Sequence, residues 1–135
     1  MKKLHANFRL QTNWKLLGIL CLSFLIPAVI LIVAYYTLGF YPFGEKSVLV
    51  MDMSEQFAPA LASLRQITSG ESSILFSWSK SMGTNNIGFF AFYMSSPFSF
   101  ITLLFPESQF LLSLWILTVL KISLSGLTMA IFLHR

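Results

Sequence analysis

Charged residues are scarce in this sequence: only 10% of its 135 residues are Asp, Glu, Lys or Arg, whereas 56% are apolar. A soluble domain of this length has a small core and must cover its outside with polar side chains. Too few polar residues are present for that purpose. The composition therefore excludes a water-soluble globular fold and indicates a chain that uses a lipid bilayer as its solvent.

Cysteine and the common catalytic motifs are also lacking. The single cysteine, Cys21, lies in an apolar run, so no internal disulfide can form and the thiol is expected to pack as a small hydrophobe. No glycine-rich phosphate loop, Cys/His metal spacing or Ser-His-Asp arrangement is found. Nucleic-acid binding is not expected, because four cations precede the first apolar run as a topology signal, namely Lys2, Lys3, Arg9 and Lys15.

Two long apolar runs are present. Residues 16–40 contain no charge and exceed the ~20 residues that a helix needs to cross a bilayer. This run is too long for the core of a cleaved signal peptide, so we expect an uncleaved anchor with Tyr35 and Tyr36 at the far interface. Residues 110–133 form the second predicted span, interrupted only by Lys121. The fold class is therefore an all-α integral membrane protein.

A sparsely charged loop, residues 41–109, connects the two predicted spans. Apolar residues recur at helical spacing over residues 54–69 and predict an amphipathic helix. Residues 87–105 are apolar, but serines and Pro97 interrupt them, and their length is marginal for a span. This segment is predicted to be re-entrant or interfacial, and a third transmembrane helix is the alternative.

The distribution of cations predicts the orientation of the chain. The basic tail, residues 1–15, is expected in the cytoplasm, which places residues 41–109 outside and the C-terminus inside. With three spans, His134 and Arg135 would lie outside, against the positive-inside tendency. Two spans remove this conflict and are favoured.

Asp52 is the acid that we single out, because it follows the predicted exit from the membrane and has apolar neighbours. Such a carboxylate is partly desolvated, which would suit it to proton transfer or metal binding. The alternative role is structural, since Asp52 and Glu55 have the spacing of a capping box at the start of the amphipathic helix. The two roles can coexist.

Lys121 is the second candidate residue. A cation at the centre of a membrane helix costs at least ~2.5–3.5 kcal/mol on insertion scales unless it is paired or hydrated. A carboxylate, a lipid-linked phosphate or a water-filled groove would serve as its partner, and snorkelling to the interface is the alternative. The remaining loop charges are expected to be solvated, namely Glu55, Arg65, Glu71 and Lys80.

Several short motifs follow one another along the chain. They are Tyr41-Pro42-Phe43-Gly44, Asp52-x-x-x-Gln56-Phe57-x-Pro59, Phe76-Ser77-Trp78 with Gly83, Phe92-Tyr93-x-x-Ser96-Pro97-Phe98, Leu104-Phe105-Pro106 and Leu120-Lys121. In this order they resemble the N-terminal region of the bacterial YfhO-like membrane proteins. That family is similar to the GT-C glycosyltransferases, multi-span enzymes that use a polyprenyl-phosphate-linked sugar at the outer face of the cytoplasmic membrane.

The resemblance implies transfer of a sugar to a cell-envelope polymer such as lipoteichoic acid, in the bacterial cytoplasmic membrane. Asp52 matches the acid that GT-C enzymes use as catalytic base or metal-site residue, which leaves a divalent metal open as cofactor. Lys121 matches a recurrent lysine of the family, and Gln56 belongs to the same motif as Asp52. Lys121 and Gln56 are therefore the candidate substrate-binding residues.

Members of that family have many more spans than the two predicted here. We therefore expect an N-terminal fragment, inactive by itself, that needs further membrane helices from the missing chain or from another subunit. Two other classes stay open. One is a small helical-hairpin subunit or assembly factor, in which Asp52 is a cap and Lys121 pairs within the membrane. The other is a fragment of a transporter or channel.

Overall fold

Two long antiparallel helices form the framework of the computed structural model, which describes residues 14–78 and 82–134. They are α1 (Trp14–Leu38) and α4 (Phe110–Leu133), which pack along each other. Both are long and apolar enough to cross a bilayer. The predicted helical membrane fold is thereby confirmed, with two candidate spans and a possible third from a bent pair of helices in the connection. Of the predicted tail, residues 1–13 lie outside the described residues.

The helices α1 and α4 approach each other closely at Gly126. A Cβ atom built there would lie 2.5 Å from the carbonyl oxygen of Ser23 and 3.1 Å from Cγ of Pro27. Pro27 has no N–H, so the Ser23 carbonyl four residues earlier loses its usual helical donor. Because Gly126 has no side chain, the backbone of α4 can approach this carbonyl, as small residues permit in membrane helix pairs.

Aromatic rings gather at one end of the helix pair. Trp115 of α4 makes edge contacts with Tyr35 and with Phe43, at centroid distances of 6.4 and 5.7 Å. Phe43 also meets Tyr36 at 6.1 Å. We call these four residues the aromatic belt, since such rings are typical of a membrane–water interface. Lys121 follows Trp115 by six positions, which places its Cα about 9 Å along the helix axis from the belt.

The connection between the spans is folded rather than extended. Its elements in chain order are a π-helical turn (Met53–Phe57), α2 (Ala58–Thr68), the antiparallel strands β1 (Phe76–Ser77) and β2 (Thr84–Asn85), α3 (Asn86–Phe89), a second π-helical turn (Phe90–Met94) and two 3₁₀ helices (Pro97–Leu104 and Glu107–Gln109). The first π turn and α2 together correspond to the predicted amphipathic helix. Pro59 lies in the first turn of α2, where its missing N–H is tolerated.

Two apolar cores hold α2 in place. The first joins α2 to α4 and consists of Ala58, Leu61, Leu114 and Leu117. The second joins α2 to the π turn after α3 and consists of Ala60, Leu64 and Met94. Because α2 is clamped from both sides, the turn that precedes it is held beside α4.

The apolar segment predicted at residues 87–105 is sharply bent. Its two helical pieces, Asn86–Met94 and Pro97–Leu104, meet at 88°. The break falls where Ser96 is extended (φ −64°, ψ 130°), because a proline disfavours the helical conformation of the residue before it. A bend of this size is compatible with a re-entrant loop or with one broken span.

Arg65 stabilises the second half of this bent segment. Its Nη2 donates to the carbonyl oxygen of Thr102 at 2.8 Å and to that of Phe105. These carbonyls end a 3₁₀ helix and would otherwise have no helical donor. The expectation that Arg65 is a solvated loop charge is therefore wrong.

The approach of α4 to Ser23 predicts the effect of Gly126→Ala. The new Cβ would overlap a backbone oxygen, so the helices must move apart at a cost of about 1–3 kcal/mol. Gly18→Ala is the matched control, because a Cβ at Gly18 meets no atom of the described residues within 4 Å and alanine favours helix. Thermal unfolding of the detergent-solubilised protein, followed by circular dichroism, should show a loss for Gly126→Ala alone. Equal stability of the two variants would contradict this packing.

Candidate functional site

Asp52 precedes the first π turn but does not cap it. Its backbone is already helical (φ −56°, ψ −29°), and its side chain forms no capping hydrogen bond. A capping carboxylate needs an extended backbone to reach the first free N–H groups. The predicted capping box with Glu55 is therefore wrong. The expected desolvation of Asp52 is also not found, since the residue is exposed.

The Asp52 carboxylate is instead held by Gln56. Nε2 of Gln56 donates to Oδ1 of Asp52 at 3.0 Å, across one turn of helix. Oε1 of the same amide accepts a hydrogen bond from the Tyr93 hydroxyl. Asp52, Gln56 and Tyr93 thus form a polar chain, in which each end of the Gln56 amide has a partner and the carboxylate has a defined position.

Tyr93 joins this chain from the bent apolar segment. Three phenylalanine rings surround its own ring, at centroid distances of 5.2 Å for Phe57, 4.7 Å for Phe89 and 4.6 Å for Phe92. Tyr93 belongs to one of the sequence motifs but was not among the predicted site residues. A phenol in an otherwise apolar stretch was the available signal, because a buried tyrosine hydroxyl usually needs a partner.

An apolar groove of about 230 Å³ lies between α4 and the connection, with Tyr93 and Lys121 both in its wall. We call it the Lys121 groove. Its apolar lining includes Met53, Phe57, Leu61 and Leu117. Tyr93 therefore belongs to both features: its hydroxyl completes the polar chain and its side chain lines the groove.

Lys121 is exposed in the structure. Among the described residues, no acidic side chain lines the groove beside it. Of the partners considered for this lysine, no carboxylate is found among the described residues of the groove, and the groove is apolar rather than polar. A cation in a membrane-spanning helix needs charge compensation or hydration, so the groove presents one unneutralised positive charge beside an apolar surface.

Metal binding was the second chemistry considered for Asp52. Within residues 14–78 and 82–134, no three His, Cys, Asp or Glu side chains are grouped so that they could hold a metal ion. A metal at Asp52 would need further ligands from outside these residues or from a bound substrate.

The comparison with family models identifies one match. A model described as "Bacterial membrane protein YfhO" matches residues 23–135, a range that contains the polar chain and Lys121. Searches of the curated proteins and of the solved structures give no match.

The bond between Tyr93 and Gln56 predicts the effect of Tyr93→Phe. The ring contacts remain, but Gln56 Oε1 loses a donor, so the protein should lose about 0.5–1.5 kcal/mol of stability. Tyr36→Phe is the control, since Tyr36 is 69% exposed and no hydrogen bond of its hydroxyl is found among the described residues. Thermal unfolding in detergent compares the two. A loss of the same size in both variants would speak against the polar chain.

Proposed function

This chain belongs to the YfhO family of bacterial membrane proteins, and we propose that it contributes the first part of a membrane glycosyltransferase. The enzyme would transfer a sugar from a polyprenyl-phosphate donor to a cell-envelope polymer such as lipoteichoic acid. The chain would lie in the cytoplasmic membrane with its basic tail inside and its connection between the spans outside. By itself it would be inactive, because further membrane helices must complete the donor site.

One observation carries this proposal: the ammonium group of Lys121 stands at an apolar groove without an acidic neighbour among the described residues. A polyprenyl phosphate has the complementary chemistry, since its isoprenoid chain is apolar and its phosphate is anionic. Isoprenoid units would pack on Phe57, Leu61 and Leu117. The phosphate would accept a charge-assisted hydrogen bond from Lys121.

The depth of Lys121 suits a phosphate at the membrane surface. Its Cα is about 9 Å from the aromatic belt along the axis of α4. A lysine side chain is long enough to direct its ammonium group several ångströms towards the interface. The lipid phosphate would therefore lie near headgroup level, while the isoprenoid chain follows the groove into the hydrocarbon.

Asp52 would act as the general base of the transfer. The hydroxyl oxygen of the acceptor forms a bond to the anomeric carbon of the sugar while the bond from that carbon to the phosphate oxygen breaks. Asp52 takes the hydroxyl proton, and the electron pair of the broken bond stays on the polyprenyl phosphate, whose charge Lys121 stabilises. Gln56 is the positioning residue, because its amide holds the carboxylate and is itself held by Tyr93.

A packing role towards further membrane helices is the second proposal. None of residues 14–38 is fully buried, so α1 offers apolar surface to a neighbour. Trp115 Nε1 and Ser123 Oγ are buried without a hydrogen-bond partner among the described residues. Both residues line an apolar groove beside Phe24 and Ala28 of α1. A polar side chain of another helix could form hydrogen bonds with these two atoms. That helix would belong to a longer chain or, if this protein is a helical-hairpin subunit, to a partner protein.

Lys121→Met tests the donor groove. The variant should bind a short-chain polyprenyl phosphate at least about tenfold more weakly than the wild type, because a hydrogen bond to a charged group is lost. Lys121→Arg should keep most of the affinity, and Lys15→Met, at the opposite end of the helix pair, should keep all of it. Binding is measured with the 135-residue chain in nanodiscs. The unphosphorylated polyprenol should not distinguish the variants, and equal phosphate binding by wild type and Lys121→Met would refute the site.

Asp52→Asn tests the catalytic role in a longer family member that carries further spans. Asparagine keeps the oxygen that accepts from Gln56 but removes the basicity, so transfer should fall by roughly 10²–10⁴-fold while insertion is unchanged. Glu55→Gln is the control, since Glu55 is an exposed acid of the same turn outside the polar chain. Transfer from radiolabelled polyprenyl-linked sugar is measured in membranes. Near-normal transfer by the Asn variant would remove Asp52 from the chemistry, and transfer by the 135-residue chain alone would contradict the fragment proposal.

A further inference from the structure

A second cavity of about 570 Å³ opens between the end of α2 and β1, and none of its described lining residues belongs to the Lys121 groove. Two aromatic residues and several polar residues line it, among them Phe76, Trp78, Gln66, Glu71, Ser72 and Ser73. Its volume is within the range of small-molecule sites. We infer that this hairpin cavity binds a neutral sugar unit, with the sugar ring on Trp78 and its hydroxyl groups on Glu71 and Gln66.

Trp78 provides the platform for the ring. It is 79% exposed, although it follows β1 directly and does not belong to either membrane span. Its ring meets Phe76 edge to face at a centroid distance of 4.9 Å. A large, rigid indole that is fixed by a neighbour and open to solvent can cover the C–H face of a pyranose at low entropic cost.

The hairpin is built around this pair of rings. Gly83 has φ of +105°, and a Cβ there would lie 2.7 Å from Cζ of Phe76 and 3.3 Å from Cε3 of Trp78. Glycine is thus required both by the backbone conformation and by the space that the rings occupy. The buried side chain of Asn86 anchors the other end of the segment, because its Nδ2 donates to the carbonyl oxygen of Ser73 at 2.7 Å.

Backbone hydrogen bonds hold the main chain of the polar wall. The carbonyl oxygen of Gln66, near the end of α2, accepts from the backbone N–H groups of Glu71 and Ser72 at 2.9 and 3.1 Å. This folds the chain back at Gly70, whose φ is +82°. Glu71 and Gln66 are left without a side-chain hydrogen bond to any described residue. Their carboxylate and amide can therefore bond a ligand.

These groups select hydroxyl ligands. A sugar hydroxyl both donates and accepts, so it can donate to the Glu71 carboxylate and bond either end of the Gln66 amide. A phosphate is disfavoured, because the charged residue among the described residues of the wall is an acid. A quaternary ammonium ligand favours an aromatic cage and would leave the Gln66 amide without a hydrogen bond.

Binding of a sugar here does not depend on the proposed transferase activity. The assignment of the bound sugar to the acceptor polymer depends on that activity and therefore rests on the proposed function. Under the proposed orientation the cavity faces the outside of the cell, where envelope polymers lie. Because the two cavities are separate, acceptor recognition would use residues other than those that hold the lipid donor.

The test uses the 135-residue chain in nanodiscs and three probes, the methyl glycosides of glucose, galactose and N-acetylglucosamine. Saturation-transfer NMR and calorimetry should detect saturable binding of at least one probe. Trp78→Leu should weaken that binding at least about tenfold, and Glu71→Gln should weaken it severalfold. Trp14→Leu is the matched control, since Trp14 is 78% exposed but lies in α1, and it should bind as the wild type does.

Several results would overturn the inference. They are no saturable binding of any glycoside, unchanged binding by Trp78→Leu, or choline that competes with the glycosides and binds more tightly. If Trp78→Leu does not fold, as judged by its circular dichroism spectrum, Glu71→Gln decides the question by the same criterion. Lys121→Met and Asp52→Asn should leave glycoside binding unchanged, so a failed sugar site and a failed transferase proposal give different results.

Discussion

The apolar contact between α2 and α4 is the interaction on which the candidate site depends. Ala58 and Leu61 lie against Leu114 and Leu117, and Lys121 follows one helical turn later. The same contact gives the Lys121 groove its second wall and holds the preceding π turn beside the membrane span. Without it, Lys121 would face only lipid, and the polar chain would have no defined relation to the helix that carries the cation.

The membrane spans and the amphipathic helix could be predicted from sequence because a bilayer imposes length, hydropathy and periodicity on the chain. The local motif at Asp52 was misleading, since its spacing matches a capping box while the backbone there is already helical. One further error and one overlooked residue concern distant partners. Arg65 bonds carbonyls 37 and 40 residues away, and Tyr93 meets Gln56 37 residues away. Pairings of this kind follow from the tertiary fold, so neither motif nor periodicity predicts them.

The two cavities differ in chemistry, as the proposed donor and acceptor roles require. The Lys121 groove combines hydrocarbon walls with one cation, which suits an amphiphile that arrives through the membrane. The hairpin cavity combines an indole with uncharged and acidic oxygen-bearing groups, which suits a hydrated, hydroxyl-rich ligand that arrives from water. In the proposed enzyme, a lipid-borne and a polymer-borne substrate would therefore reach the protein by separate routes.

The pairing of Pro27 with Gly126 has a consequence for how the chain is made. During synthesis α1 enters the bilayer first, and the Ser23 carbonyl is then without its usual helical donor at membrane depth. The backbone that covers it belongs to α4, which leaves the ribosome after α1. The Ser23 carbonyl of α1 therefore lacks this contact until α4 inserts. Biogenesis thus favours insertion of α1 and α4 into the lipid together, as a helical hairpin.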